Sequence, residues 1–103
     1  MTFVIKKTNT SPILQATLKD ALGSAINLNS ATVRFRMREL GSTTLKVNQQ
    51  AEIIDPAVNG VVRYAWQSSD VDSAGIFKAE FEVTYNDGRV ETFPNEDLSL
   101  IHI

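Results

Sequence analysis

Between Phe77 and Tyr85 every second side chain is apolar. Phe77, Ala79, Phe81, Val83 and Tyr85 alternate with Lys78, Glu80, Glu82 and Thr84. A period of two matches a strand with one face on a core and one in water, and it rules out a helix, whose faces repeat every ~3.6 residues. The same alternation sets Val33, Phe35 and Met37 against Thr32, Arg34, Arg36 and Arg38, and sets Val62, Tyr64 and Trp66 against Val61, Arg63 and Ala65. Weaker runs at Thr2 to Lys6, Ile13 to Lys19, Thr43 to Val47, Glu52 to Asp55, Arg89 to Phe93 and Leu98 to Ile103 bring the expected total to about nine strands.

Turn residues separate these runs: Ser11-Pro12, Leu22-Gly23-Ser24, Leu40-Gly41-Ser42, Asp55-Pro56, Asn59-Gly60 and Asn86-Asp87-Gly88. The last predicts a hairpin that returns Tyr85 directly into Arg89 to Phe93, with Asp87 and Gly88 supplying the positive φ angles of a type I′ turn. Helical pattern is confined to a single expected turn at Ser68 to Ala74, ended by Gly75. Many short strands with regular turns must bury one face of each sheet, so the expected fold is all-β, an antiparallel β-sandwich of seven to nine strands.

Length and composition agree. At 103 residues, 43% hydrophobic and 21% charged, the chain suits one domain with one core. It has no cysteine, so disulfides, thiolate metal sites and cysteine nucleophiles are excluded. No apolar run approaches the ~20 residues of a membrane-spanning helix. Met1 to Lys7 lacks the order of a signal peptide, and the expectation is a soluble, unprocessed protein.

Charge is unevenly distributed. Residues 1–50 carry seven basic and two acidic side chains, residues 51–103 three basic and ten acidic. Two uses fit this split. Basic and acidic strands lying side by side form cross-strand pairs; alternatively, copies meet head to tail with opposite charges steering and registering the contact. The candidate interaction residues are Arg34, Arg36, Arg38, Glu80 and Glu82.

The run Asp70-Val71-Asp72-Ser73-Ala74-Gly75-Ile76-Phe77 resembles the Asp-x-Gly-x-Tyr corner of immunoglobulin-like domains, with Phe77 in the tyrosine's place and its tethering hydroxyl therefore missing. Trp66 stands on a preceding strand, as in such domains. The segments Pro12 to Asp20, Leu28 to Arg38, Gly60 to Trp66, Ala74 to Phe81 and Asp87 to Pro94, in that order, are similar to the N-terminal domain of phage baseplate upper proteins. That resemblance implies an immunoglobulin-like sandwich across residues 1–103 and a virion structural role, assembled in the host cytoplasm. The resemblance implies a tail- or baseplate-type docking module; ending at Ile103 with no stalk, coiled coil or receptor-binding domain, the sequence departs from the family in a way that keeps the virion class and leaves tail, baseplate, neck, capsid and fibre attachment all open as its place. Its partners would be other phage structural proteins and copies of itself.

Catalytic chemistry finds little support. His102, the only histidine, has no evident orienting carboxylate or nucleophile. Glu80 and Glu82 lie about 7 Å apart along one strand face, but an open face beside Lys78 and arginines keeps both ionised, whereas a general acid needs a raised pKa. Asp70, Asp72 and Asp87 lack the glycine and terminal glutamate of a calcium loop. The arginine stripe sits in an acidic protein, with Phe35 on the opposite face rather than interleaved, which argues against nucleic acid. The expectation is no enzyme activity, cofactor, metal, nucleic acid, membrane or small-molecule substrate. The alternative is a carbohydrate-binding sandwich in which Trp66, Tyr64 or Tyr85 stacks on a sugar, although alternation turns all three toward the core. Thr2 to Lys6 and Leu98 to Ile103 are the natural segments for strand exchange with a neighbour.

Overall fold

The computed structural model describes residues 2–93 and 99–103. They form nine strands in two sheets: β1 (Thr2–Val4), β2 (Leu14–Thr17), β3 (Thr32–Glu39), β4 (Leu45–Gln50), β5 (Glu52–Ile53), β6 (Val61–Tyr64), β7 (Ile76–Thr84), β8 (Val90–Phe93) and β9 (Ser99–His102). Single 3-10 turns occur at Ala57–Asn59 and Ser68–Val71. The larger sheet runs β1-β9-β7-β3-β4, with β8 pairing the second half of β7 beside β9; the smaller runs β2-β6-β5. No helix among the described residues is long and apolar enough to cross a membrane.

The alternation read from the sequence determines which faces meet. Val33, Phe35 and Met37 of β3 and Phe77, Ala79, Phe81 and Val83 of β7 are buried, as are Leu14 of β2 and Val62 and Tyr64 of β6. At the centre, the Phe35 ring stacks on Tyr64 with centroids 4.5 Å apart and meets the edge of Trp66 at 5.6 Å. Phe81 closes the cluster at 5.3 Å from Phe35. Aromatic contacts of this kind add roughly 0.5–1.5 kcal/mol each beyond burial.

Three expectations change. Trp66 lies beyond the end of β6, which stops at Tyr64, yet its ring still enters the core. The β1–β9 pair is parallel, because both terminal strands run in the same direction down one edge; the other strand pairs are antiparallel. The Tyr85–Arg89 hairpin forms as expected, but Asp87 keeps a negative φ and only Gly88, at +89°, is left-handed. Gly88 N–H donates to the Tyr85 carbonyl and Tyr85 N–H to the Arg89 carbonyl. This is a three-residue loop, a type I turn closed by glycine, whose one left-handed position needs no second positive φ.

β3 descends from Thr32, and β7 ascends from Ile76. The Leu40–Thr44 loop, the Ser68–Gly75 crossover and the start of β7 therefore share one end of the sandwich, called lower here. The 54–60 turn and the Tyr85–Arg89 hairpin occupy the upper end.

Candidate docking surface

The structure brings all five charged residues singled out above onto the outer face of the larger sheet. Across β3 and β7, Arg34 stands opposite Glu82, Arg36 opposite Glu80, and Arg38 opposite Lys78. Arg36 Nη1 reaches diagonally to Glu82 Oε2 at 2.7 Å. Lys46 of β4 meets Asp72 of the crossover, also at 2.7 Å. These two pairs join the basic half of the sequence to the acidic half inside one molecule.

Arg34 has a different partner. Its Nε donates to Asn48 Oδ1 at 2.9 Å and its Nη2 to the Asn48 backbone carbonyl at 2.8 Å. The Ala51 N–H donates to the Val33 carbonyl, so alternation along β3 and β4 turns the Asn48 carbonyl toward the open side of β4. Arg34 thus covers part of an edge that would otherwise template another strand.

Arg38 and Lys78 remain. Directly opposed like charges repel. Among the described residues neither is in an ion pair, and Glu80, diagonal to Arg38, is the nearest carboxylate by register. Both line a shallow depression of about 420 Å³ with Leu40, Gly41, Ser42 and Thr43 of the β3–β4 loop. Beside it, Ile76 is 42% and Leu40 53% exposed, with Leu40 N–H bonded to the Ile76 carbonyl. Register continues this row through His102 of β9 to Val4 of β1, which is 70% exposed. Sequence reasoning missed Leu40 and Ile76. The signal was available, since both fall in the polar phase of their alternating strands.

The remaining candidates are dispersed. Asp70 is buried and accepts from the Tyr64 hydroxyl and Gln67 N–H; Asp72 pairs with Lys46 and Asp87 with Arg89. The Lys46 hydrogen bond holds the Asp72 carboxyl below its ordinary range, and the Arg89 backbone N–H does the same for Asp87. Among the described residues no group of three His, Cys, Asp or Glu side chains could hold a metal ion. His102 sits half-buried in the row opposite Ile76, with no side-chain hydrogen bond among the described residues.

A second cleft, about 370 Å³, opens between β4 and β6 and is lined by Gln49, Gln50, Gln67, Glu52 and Arg63. There the Arg63 hydrogen bond lowers the Glu52 pKa. Of the rings considered for sugar stacking, Tyr64 and Trp66 are in the core, and the Tyr85 ring carries the Arg89 guanidinium 5.4 Å from its centroid. Of the segments considered for exchange, β1 pairs with β9 and β9 also pairs with β7 in the same chain; Leu98 lies outside the described residues.

No curated protein matches the chain. The family model of the BppU N-terminal domain, the N-terminal domain of phage baseplate upper proteins, matches residues 2–94, and the chain belongs to this family of phage baseplate structural domains.

Proposed function

We propose that this domain docks onto neighbouring structural proteins of the virion through the lower part of the outer face of its larger sheet. One observation carries the reading. Leu40, Ile76 and Val4, three of the eight exposed large aliphatic side chains among the described residues, fall in one row there beside Arg38 and Lys78, neither of which is in an ion pair among the described residues. Exposed apolar surface beside unneutralised charge is what a specific protein interface buries, the apolar part for affinity and the charge for register. The Arg36–Glu82 and Arg34–Asn48 contacts stiffen the sheet beside it, which lowers the ordering cost of association.

The test is reconstitution with purified baseplate proteins. Leu40→Asp and Ile76→Asp should abolish incorporation into the assembly while leaving the far-ultraviolet spectrum and cooperative unfolding intact, because both side chains project outward. Full incorporation of both folded variants would overturn the proposal.

A further inference from the structure

We infer that the Arg38–Lys78 depression receives the Asp55–Val58 turn of a second copy of this chain, so that copies associate head to tail. The inference rests on the docking reading above and names an occupant for the same site.

The turn and the depression complement one another in charge. Asp55 is exposed and in no ion pair among the described residues; Arg38 and Lys78, half-buried on the other side, are in none among them either. The cations in the depression outnumber their one diagonal carboxylate, Glu80. A second carboxylate placed between Arg38 and Lys78 would accept from both, with the Ser42 and Thr43 hydroxyls lining the same depression.

Apolar surface and shape also match. Val58 is 49% exposed and Pro56 is exposed, and they stand beside Asp55 as Leu40 and Ile76 stand beside the cations. The turn is a preformed knob. Asn59 N–H donates to the Pro56 carbonyl, Gly60 N–H to the Ala57 carbonyl, and Leu28 N–H to the same Ala57 carbonyl from an adjacent loop. A segment braced this way loses little conformational freedom on docking.

Topology makes the contact heterologous. β6 runs from the upper turn down to the crossover and β7 starts up from Ile76, so knob and depression lie at opposite ends of the sandwich. The knob belongs to the smaller sheet and the depression to the outer face of the larger one, so a copy whose depression is filled still offers its own knob to the next; such contacts propagate, closing into a ring when the rotation allows and a filament otherwise.

Sedimentation equilibrium of the purified chain tests this, with Arg38→Glu, Asp55→Lys and a triple variant that adds Lys78→Glu to both, so that every charge of the contact is reversed. The wild type should associate as concentration rises, each single reversal should weaken association about tenfold or more, and the triple reversal should restore it to within about threefold. Thermal melts of all four proteins control for folding. A wild type that stays monomeric, single variants that associate like wild type, or a triple variant that stays weak would each overturn the inference. A chain that is monomeric yet enters the reconstituted baseplate through Leu40 and Ile76 overturns head-to-tail pairing alone; loss of the docking reading is read separately, from Leu40→Asp and Ile76→Asp in that reconstitution.

Discussion

The Tyr64 hydroxyl donates to Asp70 Oδ2 across 2.5 Å, and the same carboxylate oxygen accepts the Gln67 backbone N–H at 2.8 Å. Tyr64 ends β6 in one sheet, and Asp70 lies in the crossover that launches β7 in the other. The hydroxyl tether absent at Phe77 is therefore supplied from the opposite sheet.

Tyr64→Phe leaves the Asp70 carboxylate, 5% exposed, with one donor fewer in an interior site. Losing one partner of a buried group costs about 1–3 kcal/mol. Urea unfolding should show a drop of that size in Tyr64→Phe with the transition slope unchanged. A drop under about 0.5 kcal/mol would show that the tether adds no more than an average exposed contact.

Both tyrosines resist ionisation. Burial, and then the hydrogen bond to Glu91, pushes the Tyr85 pKa up to about 12; burial, and then Asp70, pushes Tyr64 up as well. An unfolded tyrosine loses its proton near pH ~10, so above that value the unfolded state has shed more protons than the folded one. The stability this contributes is complete below pH ~10 and drains away as pH rises toward about 12. Unfolding followed across this range should show tyrosinate absorbance appearing together with loss of structure. Ordinary titration of both rings in the folded protein would contradict this. At the acid end the sign reverses: Asp72, Asp87 and Glu52 have depressed pKa values, so their contribution is present above pH ~4 and is lost as pH falls through their folded values.

The strands were legible because alternation is a local signal. Phe77 to Val83 and Val33 to Met37 declare their buried faces without knowledge of their partners. What stayed hidden depends on pairing. Tyr64 reaches Asp70 only because the chain turns between them, Arg36 finds Glu82 across 46 positions only once β3 and β7 align, and a local Asp-Gly signal cannot distinguish a two-residue from a three-residue loop. The docking surface was half legible. Arg38 was named for its charge, but its value lies in facing Lys78, a consequence of register. Leu40 and Ile76 break the polar phase of their strands, yet until the strands are paired nothing shows that they are neighbours.

Gly60 and Gly88 both have positive φ, at 68° and 89°, but only one is crowded. A Cβ on Gly60 would lie 2.7 Å from the Leu18 carbonyl oxygen and 2.9 Å from that of Ile26, whereas one on Gly88 meets nothing within 4 Å. Gly88→Ala should cost about 1–2 kcal/mol, the penalty of left-handed backbone alone. Gly60→Ala should cost clearly more, since the atoms it strikes are backbone and cannot swing aside. Equal melting temperatures for the two variants would refute the distinction.

Arg38→Glu should stabilise the isolated domain, an unusual outcome for a charge reversal on a sheet. Arg38 and Lys78 are directly opposed, and substitution turns repulsion between direct cross-strand neighbours into attraction. The new carboxylate also sits diagonal to Glu80, but diagonal neighbours are ~7–8 Å apart against ~4.5–5.5 Å for direct ones, so the direct pair dominates. For partly exposed side chains the gain should be about 0.2–1 kcal/mol and should shrink as salt rises. Lys78→Glu should act alike, and the double variant, with like charges opposed again, should lose the gain, giving a coupling between the sites that a double-mutant cycle measures. Zero coupling would mean that the two cations do not sense one another. With coupling present, Arg38→Glu separates stability from association: the same substitution strengthens the monomer and weakens its contact with the next copy, which no folding defect can mimic.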